Sequence, residues 1–146
     1  MRTVVQRVKA ASVLVDDRSV GEIEAGLLVF IGVGKDDTLK EVSYMADKIV
    51  NLRIFEDQAG KMNLSVLDSG GQVLAVPQFT LYGDVKKGRR PNFTEAAPPE
   101  WGQHLFDEIV KDIAARGIKV ETGEFGANML VKISNDGPCT IIIDTE

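Results

Sequence analysis

The first third of the chain is dominated by β-branched residues that are interrupted by short polar turns, a pattern typical of consecutive strands. Turn residues stand at Asp16-Asp17 and at Glu24-Ala25-Gly26. The pattern predicts strands over residues 3–8, 12–15, 19–23 and 27–33. Because strands joined by short turns pair antiparallel by default, the sequence predicts an antiparallel meander.

Two later segments follow the period of an amphipathic helix. Between residues 38 and 51 apolar positions recur at steps of three and four, and Thr38 and Glu41 fit the capping box of a helix start. A second helix is predicted to begin at Pro98-Pro99-Glu100, since proline is tolerated where the first amides are unpaired. Gly117 supplies the end of this helix.

Further strand patterns lie over residues 52–55, 62–67, 72–76, 119–122, 128–134 and 140–144. Strands therefore come in runs rather than alternating with helices, which argues against a doubly wound parallel sheet. No linker or repeat interrupts the chain. We predict a single domain over residues 1–146, with an α+β fold of antiparallel strands and two main amphipathic helices.

Composition removes several kinds of chemistry. Cys139 is the only cysteine and His104 the only histidine, so the chain can form neither an intrachain disulfide nor a Cys/His zinc cluster. The carboxylates fall in turns or near the end of the chain without metal-site spacing, and we expect no metal and no cofactor. A Ser-His-Asp or Cys-His hydrolase would need His104 as its general base, but the position of His104 is more typical of a structural residue.

Neither a targeting nor a membrane-spanning segment is expected. The first nine residues break their apolar run with charges, and the longest apolar stretch, residues 27–33, is far shorter than the ~20 residues that cross a bilayer. We therefore expect a cytoplasmic protein with no membrane partner. Its net charge of −5 argues weakly against a generic nucleic-acid-binding surface.

Two strings are candidates for function. In the first, residues 77–93, the segment Gln78-Phe79-Thr80 is followed by four of the seventeen basic residues: Lys86, Lys87, Arg89 and Arg90. Such a cluster fits either a solvated loop or a surface that holds a phosphate backbone. The second, Asn135-Asp136-Gly137-Pro138, fits a hairpin turn and has functional interest if the bond before Pro138 is cis.

These strings and four other segments resemble the D-aminoacyl-tRNA deacylases of the bacterial and eukaryotic type. The resemblance spans essentially the whole chain and implies a homodimer with a barrel-like wrapping of strands. It also implies hydrolysis of the ester that joins a D-amino acid, or glycine, to the terminal ribose of tRNA, while L-aminoacyl esters are spared. The motifs, in the family's order and spacing, are Val5-Gln6-Arg7-Val8, Gly26-Leu27-Leu28-Val29, Asn51-Leu52-Arg53-Ile54-Phe55, Gly60-Lys61-Met62-Asn63, Gln78-Phe79-Thr80-Leu81, Lys87-Gly88-Arg89-Arg90-Pro91 and Asn135-Asp136-Gly137-Pro138.

The same resemblance implies the site residues. Gln78, Phe79 and Thr80 line the pocket, and backbone amides near Phe79 and Thr80 hold the developing oxyanion. The Gly137-Pro138 segment, its peptide bond cis, reaches in from the partner subunit, holds the α-amino group and leaves no room for an L side chain. No side-chain base is then needed, since the vicinal ribose hydroxyl assists the attacking water. The remaining expected contacts are Asn135 in the same loop, Arg7 bracing it, Phe125 and Met129 near the terminal adenine, and Lys86, Lys87, Arg89 and Arg90 on the tRNA.

Two positions depart from the family pattern. Pro77 stands where serine is usual, which excludes a serine nucleophile there, and Cys139 stands where valine is usual. An animal paralogue of relaxed specificity also has this proline, together with a trans Gly-Pro bond, whereas Phe79 and Arg7 match the D-specific branch, which we favour. Three alternatives stay open: activity on some L-aminoacyl-tRNA, a non-catalytic nucleic-acid-binding dimer, and a hydrolase built on His104.

Overall fold

The computed structural model describes residues 1–146 and is built around a six-stranded sheet that curls toward a barrel. The strand order is β2-β1-β3-β6-β7, with β8 also paired to β1, while β4 and β5 form a separate small sheet. Along the chain the elements are β1 (Arg2–Val15), β2 (Arg18–Ile23), β3 (Gly26–Gly32), α1 (Leu39–Asn51), β4 (Phe55–Glu56), β5 (Met62–Leu64), α2 (Val66–Ser69), β6 (Gln72–Pro77), a 3-10 helix (Phe79–Tyr82), α3 (Pro99–Ala115), β7 (Val120–Thr122) and β8 (Leu130–Asp144).

The sheet nearly closes where β2 meets β7. A Cβ atom added at Gly21 of β2 would lie 2.5 Å from the carbonyl oxygen of Thr122 in β7, so only glycine allows this approach. The predicted α+β class, barrel-like sheet and two main helices are therefore confirmed. No helix is both long enough and apolar enough to cross a membrane.

Two strand pairs are parallel, and the prediction of an entirely antiparallel sheet is wrong for them. β3 pairs with β6, and β6 pairs with β7, in parallel register. The chain forms α1 between β3 and β6, and α3 between β6 and β7. Such long crossings carry the chain back to the starting edge, which parallel pairing requires.

β1 and β8 are each one continuous strand where the sequence predicted two. They pair antiparallel, but Val8 pairs with Asn135 and Gln6 with Thr140, so residues 136–139 bulge out opposite Arg7 alone. The hairpin-turn interpretation of Asn135-Asp136-Gly137-Pro138 is therefore wrong. We call residues 136–139 the Gly-Pro bulge.

The strand predicted over residues 62–67 ends at Leu64, because Ser65 begins the short helix α2. The Ser65 hydroxyl accepts a hydrogen bond from the Asp68 amide (3.1 Å), and the Ser65 amide donates to the Asp68 carboxylate (2.9 Å). This capping box competes with strand pairing. The strand predicted over residues 52–55 is wrong except at Phe55, because the observed strand β4 is only Phe55–Glu56.

β3 lies at the centre of the molecule and is buried on both faces, which explains its continuous apolar run. Leu27, Val29 and Ile31 join the main core together with α1 and α3, whereas Leu28 points into a second cluster inside the curled sheet. β3 and β6 end side by side at residues 32 and 77, next to the 3-10 helix. The rigid centre of the fold therefore leads directly to the candidate site.

The cap of α1 allows a stability prediction. Thr38 Oγ1 accepts from the Lys40 amide (3.2 Å), and the Thr38 amide donates to Glu41 Oε2 (2.8 Å). We expect Thr38→Ala to lower the free energy of unfolding by about 1 kcal/mol. The melting temperature, followed by circular dichroism, should then fall by about 2–4 °C. Thr38→Ser, which keeps the hydroxyl, is the control, and an unchanged melting temperature for Thr38→Ala would contradict the cap.

The same cap is sensitive to acid. The side-chain hydrogen bond from Thr38, followed by its backbone hydrogen bond, holds the pKa of Glu41 below its usual value. The contribution of the ionised carboxylate is therefore present at neutral pH and is lost as the pH falls through this lowered pKa.

Candidate active site

The chain leaves β6 at Pro77 and turns into the 3-10 helix beside the end of β3. The amide of Gln78 donates to Ile31 (2.8 Å), that of Leu81 to Gln78 (3.3 Å) and that of Gly83 to Thr80 (2.9 Å). The amides of Phe79 and Thr80 have no such acceptor in this turn, and no side chain caps the 3-10 helix. Two adjacent backbone donors are thus available to a ligand.

The side chains of the predicted Gln78-Phe79-Thr80 segment surround these donors. Gln78 Nε2 donates to Thr80 Oγ1, so the threonine hydroxyl is engaged by an amide rather than by a base. Phe79 is 56% exposed, and its ring meets that of Phe93 edge to face, with the ring centroids 5.1 Å apart. The segment therefore combines polar donors with an exposed aromatic surface.

An apolar cavity of about 350 Å³ lies against the side chain of Phe79. Its apolar lining and its position beside two free amides are typical of small-ligand sites. Its walls are Pro77, Phe79, Phe93, Ala96, Ala97, Pro99, Phe125 and Gly126.

The structure separates the two residues predicted to lie near an adenine. Phe125 lines the cavity, whereas Met129 lines a neighbouring shallow pocket with Asp16 and Asp17. The Met129 sulfur packs against Gly123, where an added Cβ atom would lie 2.7 Å away. Met129 thus packs against the second core cluster and does not line the cavity.

Sequence reasoning missed part of the cavity wall. The sequence assigned no role to Phe93, which ends the string of residues 77–93, and assigned Pro99 only to a helix start. They reach the site because the segment before α3 folds back onto the end of β3: the Ala97 amide donates to the Val33 carbonyl at 2.9 Å. This long-range pairing has no local pattern in the sequence.

The predicted basic residues lie in an exposed loop beside the cavity. Residues 84–92, which we call the basic loop, are closed by two hydrogen bonds between the backbones of Asp84 and Asn92, of 2.8 and 3.1 Å. None of its cations forms an ion pair within the chain. The loop thus concentrates free positive charge next to Phe93 through Lys86, Lys87, Arg89 and Arg90.

The Arg7 side chain anchors the Gly-Pro bulge through contacts with Asp136. Its side chain is buried, and it donates from Nε to the Asp136 carbonyl (3.2 Å) and from Nη1 to the Ile54 carbonyl (2.6 Å). Its Nε also lies 3.3 Å from the Asp136 carboxylate. Asn135 Nδ2 closes the neck of the bulge, donating to the carbonyls of Arg7 (3.0 Å) and Cys139 (3.4 Å).

The tip of the bulge is exposed to solvent. The peptide bond between Gly137 and Pro138 is cis, and both residues are exposed. Neither lines the cavity beside Phe79 of the same chain. Within one chain, the structure therefore does not bring the two predicted halves of the site together.

The remaining candidate side chains stand apart from the cavity. His104 is exposed and stacks against Trp101, with ring centroids 5.3 Å apart. Cys139 is buried, and this burial raises the pKa of its thiol, which favours the unreactive protonated form. No three His, Cys, Asp or Glu side chains come together as a group that could hold a metal ion. The site thus consists of backbone donors, aromatic walls and cations.

Comparison with known proteins defines the class. The sequence model of the family described as D-Tyr-tRNA(Tyr) deacylase matches residues 4–144. A D-aminoacyl-tRNA deacylase of Thermotoga petrophila is 57% identical over 145 residues, covering 99% of this chain and 97% of the relative. A D-aminoacyl-tRNA deacylase of Bacillus thuringiensis is 55% identical over 146 residues, and the match covers 100% of both chains. The chain belongs to the D-Tyr-tRNA(Tyr) deacylase family and is an ester hydrolase, which confirms the resemblance.

Two solved structures are similar in fold. One, titled "c-Myc DNA Unwinding Element Binding Protein", is 40% identical, with a TM-score of 0.94 and coverage of 100% of this chain and 99% of the other. The second, titled as a probable eukaryotic D-amino acid tRNA deacylase, is 21% identical, with a TM-score of 0.86 and 97% coverage of each chain. The second likeness concerns the fold alone.

Proposed function

We propose that this protein hydrolyses D-aminoacyl-tRNA to a free amino acid and tRNA, with the oxyanion held by the backbone amides of Phe79 and Thr80. The observation that carries the proposal is this pair of amides without acceptors, beside an aromatic cavity. The names of its relatives supply the substrate class, since those from Thermotoga petrophila and Bacillus thuringiensis are D-aminoacyl-tRNA deacylases.

The chemistry requires one water and no covalent intermediate. Water adds to the ester carbonyl carbon, and the carbonyl oxygen gains negative charge that two preorganised amides stabilise. The carbon–oxygen bond to the ribose then breaks, and the proton lost by the water ends on the ribose oxygen. The vicinal ribose hydroxyl of the tRNA assists the attack, which agrees with the absence of His104 from the cavity.

The aromatic cavity and the basic loop suit the end of a tRNA. Stacking of a base on aromatic rings contributes about 1–3 kcal/mol, and Phe79, Phe93 and Phe125 offer such rings around one apolar space. We assign the terminal adenine to this cavity. The free cations of the basic loop then contact the phosphates that precede it.

Chiral selection is assigned to the Gly-Pro bulge of a second copy of the chain. Arg2 of β1 contacts Leu81, whereas the bulge lies opposite Arg7, five residues or about 17 Å further along the strand. The bulge is therefore remote from the amides of its own chain, and its exposed tip is free to enter the site of a homodimer partner. There it would hold the α-amino group and exclude an L side chain, while glycine passes because it has no side chain.

The brace of the bulge gives a test of this selection. Arg7→Met removes charge-assisted hydrogen bonds to Asp136 and Ile54, each worth about 1.5–3 kcal/mol. We expect the rate ratio for matched D- and L-tyrosyl-tRNA to narrow by about 10- to 100-fold, measured in single turnover, because a loosened bulge rejects L side chains less well.

Arg53→Met is the matched control for Arg7→Met. Arg53 is an exposed arginine that also donates to a backbone carbonyl, that of Asn63 (3.2 Å), outside the bulge. Where Arg7→Met does not fold, Arg7→Lys retains the charge and carries the test. An unchanged D-to-L ratio in a folded Arg7 variant would contradict the role of the bulge.

A second candidate function is nucleic-acid binding without hydrolysis. It is favoured by the unpaired cations of the basic loop and by the name of the 40% identical structure, a DNA unwinding element binding protein. Single-turnover release of the amino acid from D-tyrosyl-tRNA separates the two candidates. Hydrolysis supports deacylation, whereas salt-sensitive binding without any release would support the second candidate.

A further inference from the structure

Arg2, at the start of β1, holds the far end of the 3-10 helix. Its Nη1 donates to the Leu81 carbonyl (3.3 Å), and its guanidinium carbon lies 4.6 Å from the centre of the Tyr82 ring. Its Nε is oriented by an ion pair with Asp144 of 2.9 Å. The Arg2 guanidinium thus lies against the ring of Tyr82 and also donates a hydrogen bond to the backbone of the 3-10 helix.

Gly32, the last residue of β3, and Gly34, two residues later, both pack directly against the 3-10 helix. A Cβ atom at Gly32 would lie 2.9 Å from the Gln78 carbonyl oxygen and 3.1 Å from Leu81 Cβ. A Cβ atom at Gly34 would lie 2.7 Å from Tyr82 Oη. Residues 78–82 therefore rest directly on the backbone of residues 32–34, and we call this contact the glycine floor.

Tyr82 lies between the glycine floor and Arg2. It is 2% exposed, and its hydroxyl is buried without a hydrogen-bond partner. A buried hydroxyl without a partner does not stabilise the fold, so the ring itself is what holds this position. The ring fixes the last residue of a four-residue helix whose first two amides are the proposed oxyanion donors.

We propose that Tyr82 and Arg2 are positioning residues that fix the orientation of the Phe79 and Thr80 amides toward the oxyanion. The proposal rests on the proposed function of those amides. Neither side chain lines the cavity, so neither is required for binding the substrate in its ground state. A short 3-10 helix moves as one body, and displacement of Tyr82 therefore shifts both donors together. Loss of either side chain thus weakens binding of the transition state and spares that of the substrate.

The test compares two analogues of the aminoacyl-adenosine end of tRNA. An amide-linked analogue resembles the substrate, and a phosphonate, with a charged tetrahedral centre, resembles the oxyanion intermediate. We expect Tyr82→Leu and Arg2→Met to weaken phosphonate binding and to lower kcat by about 10- to 100-fold, as for a small misplacement of catalytic groups. The Kd of the amide analogue and KM should not change.

Conservative variants and a control complete the design. Tyr82→Phe keeps the ring and Arg2→Lys keeps the cation, so each is expected to restore most of the phosphonate affinity. Tyr44→Leu is the matched control, because Tyr44 is an exposed ring on α1 with Lys48 Nζ 5.6 Å from its centre. It is expected to leave both affinities unchanged.

The outcomes separate the positioning role from the proposed function. Equal weakening of both analogues, or unchanged phosphonate binding in folded Tyr82→Leu and Arg2→Met, would overturn the positioning role. If Tyr82→Leu does not fold, Arg2→Met decides alone, since the side chain of Arg2 is 34% exposed. A wild-type protein that hydrolyses D-tyrosyl-tRNA but does not prefer the phosphonate would instead overturn the assignment of the amides.

Discussion

Replacement of the Thr80 amide by an ester, with the corresponding α-hydroxy acid, is expected to lower single-turnover hydrolysis of D-tyrosyl-tRNA by about 10²–10³-fold. The ester lacks the N–H group and keeps the side chain, so it removes one of the two proposed oxyanion donors. A loss of this size is typical when one preorganised donor is removed from an acyl-transfer site. Rapid-quench measurement of the released tyrosine gives the rate.

A side-chain substitution at Thr80 separates the role of its hydroxyl from that of its backbone amide. Thr80→Ala keeps the amide and loses only the hydroxyl contact with Gln78, so we expect it to weaken hydrolysis by no more than about tenfold. The same ester at Val85, an exposed residue of the basic loop, is the control for the chemistry of replacement. Complete loss of activity in Thr80→Ala, or full activity of the Thr80 ester, would contradict catalysis by backbone donors.

Neutralisation of the basic loop is expected to raise KM for D-tyrosyl-tRNA by on the order of 100-fold at physiological salt, with little change in kcat. The variant carries Lys86→Gln, Lys87→Gln, Arg89→Gln and Arg90→Gln. Each lost phosphate contact reduces the slope of log affinity against log salt by about 0.7–0.9, so the slope should fall by about 3 in total. The measurement is KM over a salt series.

A second quadruple variant matches the change in net charge. Four exposed cations outside the loop are replaced by glutamine: Arg18, Lys40, Lys61 and Lys119. This control is expected to shift KM only slightly, because salt largely screens charges that are further apart than the Debye length, which is about 8 Å at physiological ionic strength. Equal effects of the two variants would show that net charge, rather than the basic loop, attracts the tRNA.

Local patterns predicted the elements that depend on local physics. The capping box at Thr38 and the apolar period of α1 agree with the structure, as do the proline start of α3 and Gly117 just beyond its end. The parallel pairing of β3 with β6 was not predictable from these patterns. Strand neighbours are chosen by the packing of α1 and α3 on the sheet, which involves residues far apart in the chain.

The Gly-Pro bulge shows a different limit of sequence patterns. Asparagine, aspartate, glycine and proline together are typical of turns, yet residues 136–139 lie within β8. β1 continues past them and pairs on both sides, so the extra residues are accommodated opposite Arg7. Only the partner strand, more than a hundred residues earlier, decides between a turn and a bulge.

The site also contains residues that the sequence predicted and residues that it did not. Gln78, Phe79 and Thr80 were predicted through the resemblance to a family and stay a prediction, whereas the predicted contact of Arg7 with the bulge is present in the structure. The proposed catalytic donors are backbone amides, which no residue type reveals, and under this proposal one histidine and one cysteine suffice. Tyr82 and Arg2 were not identified because their contact joins the start of β1 to a turn 80 residues later.

The central claim is that the protein hydrolyses D-aminoacyl-tRNA and spares the L form, and one measurement tests it directly. D-tyrosyl-tRNA and L-tyrosyl-tRNA, prepared on the same tRNA, are each mixed with excess wild-type protein, and the release of tyrosine is followed in single turnover. The account predicts rapid release from the D ester and release from the L ester at the rate without protein. Hydrolysis of neither ester, or of both at similar rates, would contradict it.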